Sequence, residues 1–139
     1  MNKEQLRTMI DDYAKAIRAK DADGVLKHLA PDLVSFDLAP PLKITGKDRK
    51  GLQEWFATWK GGIEYEVTDV AITAGDKVAF ARSLNRLGGT KTDGKENSVW
   101  VRSTICFERR DGEWKVVHLH ASVPFYMDGS VKAAVDLHP

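Results

Sequence analysis

At 139 residues the chain is long enough to bury a core as one domain, residues 1–139, without disulfides or a structural metal. Charged residues make up 29% and hydrophobic ones 42%, and the net charge is +1. Acids and bases are interspersed, which excludes a basic nucleic-acid face and an acidic tail. The single cysteine, Cys106, excludes an internal disulfide and a thiolate metal cluster within the chain, and mid-strand it reads as a small buried hydrophobe. No apolar run approaches membrane length, and the opening MNKEQLRTMIDDY is amphipathic rather than a signal peptide, so the cytoplasm is the expected compartment.

From about Lys3 to Lys20, Leu6, Met9, Ile10, Tyr13, Ala14 and Ile17 recur at helical spacing and predict an amphipathic helix. Tyr13 carries the one polar atom on that stripe, so its hydroxyl is expected either to be anchored in the core or to aim into a cavity. Asp21 predicts the cap of a second short helix through Val25, Leu26 and Leu29, stopped by Pro31. Asp32–Leu38 alternates as a strand with Asp37 near its end, before Pro40-Pro41. Thr45 followed by Asp48 fits a capping box, opening a helix that carries Leu52, Trp55, Phe56 and Trp59 and ends at Gly61-Gly62. From Ile63 the period becomes two: strands are predicted over 63–73, 77–87, 97–108 and 114–123. A last turn capped by Asp128 is expected through Val131 and Val135. Helices, one strand, a helix and then an antiparallel meander imply an α+β domain with a curved sheet over a helical layer.

Turn chemistry sets the expected faces of that sheet. A two-residue type I′ turn at Asp93-Gly94 pairs Arg82 with Ile105, Leu84 with Ser103 and Arg86 with Val101. For the next hairpin, a two-residue turn at Asp111-Gly112 competes with a three-residue loop, Arg110-Asp111-Gly112, that pairs Ile105 with Val117 and Ser103 with Leu119. Hydrophobic segregation favours the three-residue loop, because a one-residue slip exchanges the faces. It collects Val101, Ser103, Ile105, Phe107, Val117, Leu119 and Ala121 inside. Trp100, Arg102, Trp114, Val116, His118 and His120 then fall on an aromatic and polar outer face suited to a homodimer interface. Arg82 and Arg86 are expected inside, where a cavity, a ligand or an acid must satisfy them. His118-x-His120 has two metal-ligand imidazoles on one face but no obvious third ligand, so neither a metal nor another cofactor is expected.

The run YAKAIRAKDADGVLKHLAPDLVSFD, Tyr13 to Asp37, is similar in spacing to the opening of the ketosteroid isomerases of the nuclear transport factor 2-like superfamily. The run CFERRDGEWKVVHLHAS, Cys106 to Ser122, resembles SnoaL-like proteins and the association domain of calcium/calmodulin-dependent protein kinase II. The resemblance implies a conical α+β barrel, a bent antiparallel sheet with three helices around a pocket, usually dimeric through the outer sheet face. It places Tyr13 where the isomerases hold their oxyanion-stabilising tyrosine and Asp37 where they hold the general base. Ile105 stands where the isomerases have a second, protonated acid. In the kinase association domain, Arg82 matches a pocket arginine and Asp37 a pocket acid.

Three functions follow as expectations. The first is a pocket protein that binds a small anionic or carboxylate-bearing ligand, lined by Trp55, Trp59, Arg82, Leu84, Arg86, Ser103, Ile105, Leu119 and Ala121, with little catalysis. The second is an isomerase, lyase or cyclase using Asp37 as base and Tyr13 as oxyanion donor. The third is an oligomeric assembly module.

Overall fold

In the computed structural model, which describes residues 2–139, α1 spans Asn2–Ala19 and buries Leu6, Met9, Ile10, Ala14, Ala16 and Ile17, the face its spacing predicts. Lys20, in the left-handed region at φ 55°, turns the chain out of α1. Asp21 then caps α2, Ala22–Leu26, by accepting the Gly24 N–H at 3.1 Å. Strand β1 is Leu29–Phe36 and β2 is Ile44–Thr45; α3 is Arg49–Ala57. The long strands are β3 (Trp59–Ala74), β4 (Val78–Lys91), β5 (Glu96–Arg110) and β6 (Glu113–Ser122).

These make one six-stranded sheet in the order β2-β1-β6-β5-β4-β3, antiparallel except where β1 runs parallel to β6. The sheet is open, with β2 and β3 as its edges, and with the three helices it forms the expected α+β cone. Phe107 and Leu6 fill the centre of the main core, beside Ile105, Trp114 and Val116. A second cluster, around Ile17, Phe56, Trp59 and Ile63, joins α1 and α3 to the start of β3.

Several local expectations shift. Pro31 does not end a helix; it lies inside β1, where the β1–β6 register breaks between Leu29 and Val34 and the missing N–H costs no regular ladder bond. Asp48, not Thr45, caps α3, accepting the Gly51 N–H at 3.0 Å, while Thr45 pairs with Val34. The helix stops at Ala57, so Trp59 opens β3 opposite Lys91, and Gly61 sits at a register shift. The tail has no helical turn; it folds back through a Phe125–Ala133 bridge.

The two hairpin loops are the reverse of expectation. The β4–β5 loop has three residues, Thr92-Asp93-Gly94, closed by the Lys91 N–H on the Lys95 carbonyl at 2.8 Å with Gly94 left-handed at φ 85°. The β5–β6 loop has two, Asp111 (φ 51°) and Gly112 (φ 79°), between paired Arg110 and Glu113, as a type I′ turn requires. The β4–β5 register is therefore one residue off: Ala81 opposes Ile105, Ser83 opposes Ser103, and Asn85 opposes Val101. In β6 a bulge at Val117 restores the expected facing beyond it, because Phe107 pairs with Val116 but Cys106 pairs with His118 and Ile105 with Leu119. Trp114 and Val116, before the bulge, are buried in the core rather than on the outer face. Past it, Leu119 and Ala121 lie opposite Ile105 and Ser103, and His118 and His120 opposite Cys106 and Thr104. A second bulge, with Asp69 left-handed at φ 52°, exchanges the faces of β3 between Val67 and Ile72, which both pack on the core.

Candidate active site

Alternation brings one row of side chains from each long strand to the concave face, and the polar members converge. Tyr65 on β3 and Asn85 on β4 lie on adjacent strands, and the Asn85 amide Nδ2 donates to the Tyr65 hydroxyl oxygen at 2.8 Å. Ser83, two residues back on the same face, donates through Oγ to the Asn85 Oδ1 at 2.8 Å. Asn85 is 2% exposed, so both ends of its amide are satisfied within the protein, as burial demands. Tyr13 comes from α1 and packs with Tyr65 against the Ala16, Ile17 and Ile63 cluster. Asp37 follows β1, next to Ser35 and Phe36, which pair with Leu119 and His120.

The electrostatics tie these groups together. Burial pushes the Tyr13 phenol far above its ordinary value, with the nearby Tyr65 and then Asp37 adding to the shift. Tyr65 is also raised, by burial, against a lowering from the Asn85 hydrogen bond. Asp37 is raised by desolvation first and then by the Asp48 carboxylate at the α3 cap. No cation is among the groups that shift Tyr13 or Asp37. The result is two phenols kept protonated and a carboxylate made more basic.

Beneath Tyr13 a crevice of about 10 Å³ is lined by Met9, Ile10, Tyr13, His28, Leu29, Ile105, Phe107, Val116 and Leu119. It has room for about one water. A larger concavity, about 470 Å³, opens between α2 and α3 along Lys20, Asp23, Arg49, Gln53 and Phe56. It is a surface furrow whose rim is already paired, Arg49 to Asp23 at 2.7 Å and Asp21 to its own helix.

Of the residues singled out from the sequence, Asp37 contributes to the raised pKa of Tyr13, and Ser103, Ile105, Leu119 and Ala121 share the concave face. Trp55 lines the second cluster, and Trp59 is buried in it with the Lys91 ammonium 3.7 Å from its ring centre. Arg82, Leu84 and Arg86 do not join them. The β4–β5 register puts them on the outer face, opposite Thr104, Arg102 and Trp100. There Arg86 bonds Glu64 at 2.9 Å and Glu66 at 3.1 Å and reaches Ser98 at 3.3 Å, so its charge is satisfied without a ligand. Tyr65, Asn85 and Ser83 are the residues the sequence reading missed. The alternation Ile63, Tyr65, Val67 signals the first, and a three-residue Asp-Gly loop would have turned the other two inward.

On the outer face, the His118 Nδ1–H donates to the Val34 carbonyl at 2.6 Å, and Phe36 lies edge-on to both histidines, 4.7 and 5.4 Å between ring centres. No cluster of three or more metal-ligating side chains occurs among the described residues, and no helix among them is long and apolar enough to cross a membrane.

A SnoaL-like domain model matches residues 6–126, and the chain belongs to that family. A nuclear transport factor 2-like protein of unknown function from Pseudomonas putida KT2440 is 30% identical, with a TM-score of 0.89 over 98% of this chain and 95% of that one. A ketosteroid isomerase-like protein from Erwinia carotovora atroseptica SCRI1043 is 20% identical, with a TM-score of 0.70 over 84% of this chain and 91% of that one. The association domain of the calcium/calmodulin-dependent kinase II of C. elegans is 16% identical, with a TM-score of 0.68 over 87% and 95%. No curated protein matches the chain. The last two likenesses establish a shared fold, and fold alone does not carry activity.

Proposed function

We propose that the cone is an acid–base site for a small, largely apolar carbonyl compound, with Asp37 as general base and Tyr13 as donor to the carbonyl oxygen. The observation that supports this is that desolvation raises both Tyr13 and Asp37, with Asp37 adding a smaller push to the Tyr13 shift and no cation among the groups that act on either. A carboxylate with a raised pKa is a better match to proton abstraction at neutral pH than an ordinary one. In the step, Asp37 takes a proton from the carbon next to the carbonyl, and the electron pair moves to the oxygen, where the Tyr13 O–H donates a hydrogen bond. Returning the proton to another carbon isomerises the compound; expelling a hydroxide from the neighbouring carbon, protonated as it leaves, dehydrates it. The expected support for an anionic ligand, two inward guanidinium groups, is gone, since Arg82 and Arg86 face out. The crevice below Tyr13 is nearly filled, so a ring-sized substrate would sit toward Asp37 or displace Met9 and Leu119.

The test is deuterium uptake from D2O into a panel of small cyclic ketones. The wild type should exchange the α-hydrogens faster than buffer, Asp37→Asn should lose this, and Tyr13→Phe should slow it by about a hundredfold or more. A wild type no faster than buffer, or an undiminished Asp37→Asn, overturns the reading.

The outer face supports a second, compatible role as a homodimer surface. Phe36 is 37% and Phe80 48% exposed, beside His118 and His120 and on the same side of the sheet as Arg102 and Trp100, a mixed aromatic face of the kind interfaces use. Trp114, buried in the core, is not part of it. Phe80→Ser should convert a dimer to a monomer in light scattering; a monomeric wild type would sink this role.

A further inference from the structure

The convex face of the sheet carries positive charge that its own acids do not neutralise. Arg82, Thr104, His120 and Phe36 stand opposite one another on four adjacent strands and form one row. Leu84, Arg102 and Ser122 form the next row, and Phe80, Cys106 and His118 the row on the other side. Arg82 and Arg102 are therefore diagonal neighbours, about 7–8 Å apart at the backbone, a span within reach of long side chains. Both are exposed. Among the described residues neither makes an ion pair: Glu64 and Glu66, on the same face, are held by Arg86, and Glu108 by Arg110. The Arg102 Nε–H donates to the Ser122 Oγ at 3.1 Å, which steadies the side chain and leaves its terminal nitrogens open. His120 completes the cluster, its ring edge-on to Phe36.

We infer that Arg82, Arg102, Thr104 and His120 form a site for a phosphate-type dianion, and that this anion ties two copies of the chain together across the convex face. The inference rests on the homodimer role proposed above and names what regulates it. A two-fold interface lays a patch on its own copy. Phe36, Phe80 and Trp100 surround the cluster on this face, so contacts between these aromatics bring the two clusters together in the middle. Guanidinium groups from both copies are then desolvated side by side without an acid, which opposes association. A dianion reverses the sign. Two arginine forks, a hydroxyl and an imidazole N–H suit the separate oxygens of one tetrahedral group. Chloride has neither the second charge nor the separate oxygens.

The probe is inorganic phosphate at low millimolar concentration, compared with sodium chloride of equal ionic strength. The readout is the dimer dissociation constant from sedimentation equilibrium. Phosphate should tighten the wild-type dimer by about tenfold or more. The double variant Arg82→Met, Arg102→Met should dimerise in chloride at least as well as the wild type and ignore phosphate, because the repulsion and the site are removed together. A general salting effect of phosphate would act on that variant too. Arg82→Glu is the second arm: its carboxylate gives Arg102 the missing partner, so this dimer should also form without regard to phosphate. All the substituted positions are exposed, and cooperative melting checks that the variants fold. Phenyl phosphate separates two sources of the same chemistry. If it acts at lower concentration than inorganic phosphate, the ligand is a phosphate ester; if it acts no better, the ligand is the free ion. A wild-type dimer equally tight in phosphate and chloride overturns the inference and leaves the homodimer standing. A double variant that keeps the phosphate response, or that weakens in both salts, overturns it as well. A wild type that is monomeric in both salts removes the homodimer and the inference with it.

Discussion

The two faces of β4 hold neighbouring residues to different standards. On the concave side Ser83 donates to Asn85 and Asn85 donates to Tyr65, each bond in a fixed direction, and Asn85 is 2% exposed. On the convex side Arg86, one residue on, shares its guanidinium among Glu64, Glu66 and Ser98, with the two acids largely open to solvent. Inside, a lost partner leaves a desolvated polar atom; outside, water replaces it. The difference teaches where specificity can reside. A hydrogen bond that water can substitute carries little directional information, whereas one that water cannot reach fixes which atom donates and which accepts.

That contrast depends on facing, so the strongest way to break it is to move the faces. Deleting Val117 removes the β6 bulge and turns Leu119 and Ala121 outward while His118 and His120 turn in. The cost should exceed about 4 kcal/mol, and the variant should show no cooperative thermal transition in near-ultraviolet circular dichroism. A protein that melts like the wild type would mean that Val117 is not what sets the facing. A gentler comparison pits one face against the other. Asn85→Leu strands the Tyr65 and Ser83 hydroxyls and should cost about 1–3 kcal/mol in urea unfolding, unchanged by salt. Arg86→Met should cost less than about 1 kcal/mol, and that smaller loss should fade as salt screens the wild-type pairs. Equal costs would erase the distinction between the faces.

The helices and the existence of every long strand were legible in the sequence, because periods of 3.6 and 2 report burial directly; the buried set of α1 is the one its spacing names, save Tyr13, which is only partly buried, and Ala16, which is buried. The hairpin loops were not legible. Asp-Gly serves a two-residue type I′ turn and also ends a three-residue loop with glycine left-handed, and the chain uses each form once, at 111–112 and at 92–94. Choosing wrongly at Asp93-Gly94 turned Arg82 and Arg86 inward and hid Ser83 and Asn85. The wrong choice at Asp111-Gly112 did less harm to the faces, since the Val117 bulge restores the expected facing beyond it. Each partner there lies two residues further along, and Trp114 and Val116 before the bulge are the buried residues misplaced. Tyr13 and Asp37 escaped these errors because neither lies on the meander; the phenol's place follows from a helical stripe and the carboxylate's from the end of β1.

The smallest effect expected concerns Asp37, and its sign tests whether the concave side is as short of cations as its neighbours indicate. Desolvation and Asp48 raise the Asp37 pKa in the folded protein, so the folded state holds this proton more tightly than the unfolded chain does. The contribution to stability is then fully present below the unfolded pKa, near the ordinary carboxylate value, and is lost as pH rises through the raised folded one. Above that window an ionised Asp37 destabilises the fold. Asp37→Asn, which removes the charge and keeps the shape, should therefore raise Tm modestly at pH 7–8, and the gain should shrink toward zero as pH falls through the carboxylate range. If Asp37→Asn instead lowers Tm at neutral pH, a cation holds the carboxylate in the folded protein. Asp37 would then be a weakened base, and the assignment of proton abstraction to it would lose its footing.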